Sequence, residues 1–247
     1  MVHSKPPKWM IGAIVLGALA LVGIALIALT RPQRELPAEK APQQAAAAAG
    51  IRFFDIGEGT IIDAARRKML VEKLGPDSVV HRAPIDLTID DRRWTETNLP
   101  RIWSLHTALN PPLGERREHD IVILTYRRTQ AQNLPLRYVA LAFLADSGKP
   151  LYITLHPSDD AAALLHDLGL KYGPPAEIGT AADETRAGIW RQGKDILVAA
   201  RIPRRGARVE SLLRLYFTGN IEYLLAQEQQ AAEAEAQRKS EARRSLF

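Results

Sequence analysis

The chain has 247 residues, 46% of them hydrophobic, a formal charge of +5 and no cysteine. The missing thiols exclude a disulfide framework, cysteine-ligated zinc, iron–sulfur centres and cysteine nucleophiles, and a charged fraction of 25% argues against wholesale disorder. More than half of the positive excess flanks one apolar segment while residues 51–225 are nearly balanced, which excludes the concentrated basic face of a nucleic-acid-binding domain.

Residues 1–8 form a short basic tail carrying Lys5 and Lys8. Trp9 to Leu29 follows without a charge, and as a helix it spans about 31 Å, enough for a bilayer core. Trp9 suits the interface, and Arg31 and Arg34 lie beyond the far end. Residues 9–30 therefore read as a single-pass transmembrane signal anchor. A cleaved signal peptide fits less well, because Ala18-Leu19-Ala20 comes too early and Ala28-Leu29-Thr30 ends in threonine. Basic residues on the two sides do not decide orientation, but a short basic N-terminus before a long domain reads as N-in, C-out. That places the domain in the periplasm, outside the inner (cytoplasmic) membrane. Residues 31–50, rich in proline, glutamine and alanine, form a linker reaching about 25 Å root-mean-square.

Residues 51–225 read as an α+β domain. A helix is expected over 61–74, with Thr60 as N-cap and Gly75-Pro76 as the stop. A second is expected over 159–168, capped by Ser158 and ending at Gly169 or running on to Tyr172. Aligning the two pairs Ala64 with Ala162, Ala65 with Ala163, Lys73 with Lys171, Gly75 with Gly173 and Pro76 with Pro174. Strands are expected at 121–127, 138–145 and 151–155 after the first helix. After the second they are expected at 186–191, 196–202, 212–217 and 221–225, the last two as a hairpin around Thr218-Gly219-Asn220. This pattern suggests two helix-plus-antiparallel-meander repeats, 51–156 and 157–225. Residues 81–118 would be an insertion in the first, with a short helix at 100–109. Val209 to Phe217 also fits a helical face. Residues 226–247 form a polar helical tail.

Leu74-Gly75-Pro76 and Tyr172-Gly173-Pro174, each closing a helix ahead of antiparallel strands, resemble the helix stop of the SmpA/OmlA-type outer-membrane assembly lipoproteins. The tandem arrangement resembles the β-lactamase-inhibitor-protein architecture. Proline here follows glycine directly, whereas the family spaces them by one residue, and no cysteine is present to carry a lipid. The resemblance implies a binding or assembly role without catalysis.

Phosphate-cradle glycine motifs, a G-x-S-x-G elbow and an H-E-x-x-H zinc helix are all missing from the sequence. No calcium loop is spelled out, and no cofactor or metal is expected. His156 and Ser158 sit at a strand-to-helix junction. With a carboxylate converging on them they would suit a hydrolase; otherwise Ser158 caps its helix. Arg92, Arg93, Trp94, Arg101 and Trp103 make a candidate interaction surface in the insertion, and Arg204 and Arg205 belong to the densest basic stretch, Arg201–Arg208, within reach of a partner or of anionic headgroups. The leading expectation is a membrane-anchored extracytoplasmic domain that binds another protein. A hydrolase near His156 and Ser158, and a cytoplasm-facing tethered module, remain as alternatives.

Overall fold

The computed structural model describes residues 50–244 apart from 91, 112–116, 128–135, 159–160, 176, 181–184 and 205–207. The expected membrane span 9–30, the linker up to residue 49 and Arg205 lie outside the described residues. Among the described residues no helix is long and apolar enough to cross a membrane.

The protein is a mixed α+β structure built on one eight-stranded sheet. In chain order the elements are α1 (Ala64–Leu74), β1 (Asp77–Ala83), α2 (Arg92–Asn98), α3 (Pro100–Leu109), β2 (His119–Arg127), β3 (Leu136–Leu144) and β4 (Pro150–Pro157). They continue with α4 (Ala161–Tyr172), β5 (Glu177–Thr180), β6 (Arg186–Gln192), β7 (Asp195–Arg204), β8 (Arg208–Phe217) and α5 (Thr218–Arg244). Strand order is β1-β2-β3-β4-β8-β7-β6-β5, and every pairing is antiparallel. Each half is thus a helix followed by a four-stranded meander, and the meanders meet where β4 lies beside β8. α1 and α4 are each followed by a glycine in the left-handed region, Gly75 at φ 93° and Gly173 at φ 81°, a conformation that costs glycine little and other residues more. A proline follows each and prevents the helix from resuming.

Both faces of the sheet are covered. On one, the segment 51–62 and α1 bury Ile51, Ile56, Leu70 and Leu74 against Leu124, Leu141, Ile153, Leu215 and Phe217. On the other, α2, α3 and the start of α5 bury Trp94, Ile102, Leu109, Ile221 and Leu224 against Ile121, Ala142, Val198 and Tyr216. Central strands lying between two layers bury successive residues on both sides. That is why Leu136–Leu144 and Asp195–Arg204 read as nearly unbroken apolar runs.

Several sequence expectations are corrected. Helix α1 begins at Ala64, not at 61: Asp63 is its N-cap, accepting from the Arg66 N–H at 2.8 Å, while Thr60 closes the turn before it by accepting from the Gly57 N–H at 3.0 Å. The second helix, Ala161–Tyr172, ends where the longer of its two expected bounds put it, and the expected start at 159–160 lies outside the described residues. Residues 221–225 are not a strand. Thr218, Gly219 and Asn220 open α5, and the polar tail continues it as far as Arg244. Buried Asn220 donates from Nδ2 to the Glu58 carbonyl at 2.9 Å and the Pro150 carbonyl at 2.8 Å, fixing the helix start to two other segments. Val209 to Phe217 is strand. The edge strands β1 and β5 and helix α2 were not foreseen, whereas the helix at 100–109 has its expected bounds.

Trp94, placed in an interaction surface by its sequence neighbourhood, is 1% exposed and belongs to the core. Its truncation removes one of the largest buried side chains. Trp94→Ala is expected to destabilise the protein by about 3–5 kcal/mol, read as a fall in the urea midpoint. A change below about 0.5 kcal/mol, the range of surface substitutions, would place the indole outside the core.

Candidate functional site

A cleft of about 590 Å³ opens on the α2/α3 face, over the junction of the two meanders. β3 contributes Tyr138 and Ala140, and the insertion contributes Asp86. β4 supplies Tyr152, Thr154 and His156, three residues of one alternating face, and β8 supplies Glu210 and Arg214 in the same way. The register sets Thr154 directly opposite Arg214 and Tyr152 opposite Tyr216. Arg137 stands at the rim, held by an Nε–H bond to the Pro157 carbonyl at 3.0 Å.

Arg214 forms the floor. Its Nε donates to Thr154 Oγ1 at 3.0 Å, its Nη1 donates to the carbonyls of Asp86 and Thr88, and its guanidinium lies 5.4 Å from the centre of the Tyr152 ring. Burial opposes this charge, but the surrounding Tyr216, Tyr152 and Asp86 outweigh it and hold the guanidinium above its ordinary value. Burial pushes the Tyr216 hydroxyl up to about 12, so it stays protonated and donates to the Leu87 carbonyl at 2.7 Å. Burial would raise Asp86, yet the backbone N–H and hydroxyl of Thr88 with Arg214 bring it below the usual carboxylate range.

A chain of contacts leaves the cleft along β8. His156 Nδ1 lies 3.0 Å from Glu210 Oε1, the other oxygen of Glu210 accepts from Arg204 at 2.7 Å, and Arg204 also holds Asp90 at 2.7 Å. Asp90 in turn accepts from the Thr185 hydroxyl at 3.1 Å. Burial holds His156 below the ordinary imidazole range, Glu210 pulls it up, and Arg214 and Arg137 add to the depression. Burial disfavours the Glu210 anion, but the hydrogen bond from Arg204 prevails and its carboxyl stays below its ordinary value. Tyr138 meets the His156 ring edge-on at 5.3 Å between centroids.

The sequence-derived candidates divide. His156 lines the cleft, whereas Ser158 is exposed and is not among the lining residues. The carboxylate beside His156 is Glu210. Arg204 supports the cleft through Glu210 without lining it. Arg92 and Arg93 are exposed at the start of α2, and Arg101 pairs with Glu222 on α5. Trp103 is half-buried, with its ring 5.5 Å from that of His106. Of the insertion candidates, Trp94 alone is withdrawn into the core. Arg137, Tyr138, Glu210 and Arg214 were missed by sequence reasoning. Their one local signal is polarity at alternate positions of otherwise apolar strands.

A second cavity, of about 360 Å³, lies where the chain enters the domain, bounded by Gly50 to Arg52, Gly57 to Thr60 and Asp195. Burial and the nearby Glu58 push the Asp195 carboxyl up to about 7, and its Oδ1 is buried without a partner. Among the described residues no group of three or more histidine, aspartate or glutamate side chains is placed to hold a metal ion.

Two outcomes follow from these environments. Glu210→Gln removes the group that raises His156, so the His156 midpoint is expected to fall further on titration by ring-resonance NMR; an upward move would mean that Glu210 does not hold the protonated ring. Asp195 has a folded-state value raised above its unfolded one, so the folded state binds the extra proton and stability declines as pH rises from about 4 to about 7. Asp195→Asn is expected to gain on the wild type across that window, by on the order of 2 kcal/mol after allowance for water at the cavity mouth. Parallel pH–stability curves would show that Asp195 does not carry the effect. Comparison with protein-family profiles, curated proteins and solved structures returns no match.

Proposed function

We propose that residues 9–30 cross the inner (cytoplasmic) membrane once, that residues 31–50 tether the α+β domain on the extracytoplasmic, periplasmic side, and that the domain binds a segment of a protein partner in the cleft, as an accessory or assembly factor without catalysis of its own. The observation that carries this reading is the construction of the cleft. Its side chains stand on adjacent strands of a sheet packed on both faces, so they are held in place before any ligand arrives, which lowers the cost of binding. Aromatic faces, guanidinium groups and an imidazole share an open cavity large enough for several residues of an extended chain. The resemblance to assembly lipoproteins points the same way.

A hydrolase at His156 is the second reading, favoured by the His156–Glu210 pair, which has the geometry of a base and its orienting carboxylate. Among the described residues no nucleophile is free for it: Ser158 stands outside the lining residues, and Thr154 already accepts from Arg214. A cytoplasm-facing module is the third reading and differs from the first only in topology.

The absence of cysteine makes topology direct to test. Ser240→Cys, on the exposed part of α5, is expected to react with a membrane-impermeant maleimide in intact spheroplasts, while Ser4→Cys reacts only after lysis. The reverse pattern puts the domain in the cytoplasm. A photoreactive residue at Tyr138 in the full-length membrane protein should give adducts with a protein partner, and one at Lys68 on α1 should not. No adduct at 138, or equal adducts at both positions, would remove the cleft as the binding surface.

A further inference from the structure

The polar groups around the cleft differ in how fully the protein satisfies them. Of the two carboxylates, Glu210 is engaged at both oxygens and Asp86 at Oδ1 alone. Glu210 holds His156 with one oxygen and Arg204 with the other, and Asp86 accepts from the backbone N–H and hydroxyl of Thr88. The donors are not exhausted. Arg137 is exposed and uses Nε alone, on the Pro157 carbonyl, which leaves both terminal nitrogens. Half-buried Tyr138 lines the cleft, and its hydroxyl has no bonded partner among the described residues. His156 is held at Nδ1, so a proton taken up by the ring leaves Nε2 as one more donor. The two terminal nitrogens of Arg137 and, once the ring is protonated, His156 Nε2 are together complementary to an acceptor group.

The charge of that acceptor follows from the same residues. Arg137, Arg204 and Arg214 are matched by Asp86, Asp90 and Glu210, so with His156 neutral the cluster carries no net charge. A single negative charge is balanced by one proton on His156. A doubly charged phosphate, or the polyanionic surface of a membrane or nucleic acid, leaves an excess that nothing in the cleft neutralises.

We propose that the cleft recognises the C-terminal carboxylate of a partner peptide between the Arg137 guanidinium and the His156 ring, and that binding takes up a proton at His156. The proposal rests on the cleft being the partner-binding surface. The groups that set the His156 response are Arg137 and Tyr138 on β3, Glu210 and Arg214 on β8, and, through Glu210, Arg204 on β7. Burial and the two arginines at the cleft favour the neutral ring when the cleft is empty. A carboxylate beside it reverses that balance, so affinity strengthens as pH falls.

The test uses the full-length protein in detergent micelles with ring-labelled histidine, the His156 resonance being identified by its loss in His156→Gln. The probes are N-acetyl-alanyl-alanine with a free carboxylate, its C-terminal amide, and inorganic phosphate. The carboxylate is expected to shift the His156 resonance saturably and to bind about tenfold more tightly at pH 5 than at pH 8, as one unit of induced shift requires. In His156→Gln, followed by the Tyr138 ring signals, the pH dependence should fall below about twofold. Arg137→Gln should weaken binding about tenfold, and Arg137→Lys, which keeps the charge without the fork, less than that. The amide should not bind. Absence of a saturable shift with the carboxylate, equal binding of the amide, tighter binding of phosphate, or unchanged affinity in Arg137→Gln each overturns the proposal. Adducts at position 138 without carboxylate binding would sink this inference and leave the partner-binding reading intact; carboxylate binding without adducts would do the opposite.

Discussion

Four residue pairs join the two meanders into one sheet: Tyr152 with Tyr216, Ile153 with Leu215, Thr154 with Arg214 and Leu155 with Leu213. Side chains alternate across a strand, so this short seam sends its members to two different environments. Ile153, Leu213 and Leu215 enter the core beneath α1 and the segment 51–62. Tyr152, Thr154, Arg214 and Tyr216 face the other way, toward the insertion. A slip of one residue in this register would put Arg214 into an apolar layer and Leu213 or Leu215 into the cleft. The hydrophobic difference between the two faces therefore fixes the placement of the polar site, without any contact inside the site having to do so.

Arg214 is costly to keep at such a position. A guanidinium removed from bulk water is tolerated only where acceptors and counter-charge replace its hydration. Here the Thr154 hydroxyl, two carbonyls of the insertion, the Tyr152 face and the Asp86 carboxylate do so together. Because those carbonyls belong to residues 86 and 88, the arginine also ties the insertion to the sheet. A hydrophobic residue of similar volume would satisfy the core equally well but would leave the carbonyls of Asp86 and Thr88 without this donor. The gain from the charge is thus positional: it sets the wall of the cleft against its floor. Glu210 acts similarly at the rim, where one carboxylate fixes both an imidazole on β4 and an arginine on β7.

The parts of this fold legible in the sequence are those whose signals are local. Helices α1, α3 and α4 are announced by caps, prolines and Gly-Pro stops, and β2, β3, β4, β6 and β7 by apolar runs of strand length. β1 escaped because DSVVHRA is an edge strand exposed over most of its length, so neither face imposes alternation. β5 is four residues long. The mistaken hairpin at 221–225 came from reading Thr218-Gly219-Asn220 as a turn, although Asn220 is bound by groups 70 and 162 residues distant that no local pattern reveals. The site shows the same division. His156 stood out because it lies at a strand end beside a candidate cap. Glu210 and Arg214 are far from it along the chain, and only the strand order β4-β8 makes them neighbours.

Strand β7 links the two ionisable regions of the domain. At its start Asp195 lies against Gly50, where the linker joins the domain, and at its end Arg204 holds the Glu210 that orients His156. Ten residues of extended chain separate these points by about 30 Å. The two sites also respond to acidification in a compatible sense. A proton on Asp195 relieves a buried charge at the tether end, and a proton on His156 prepares the cleft for a carboxylate, so mild acid favours both the folded domain and its occupied state. Each effect arises from a group held by one rigid strand, and neither requires the sheet to move.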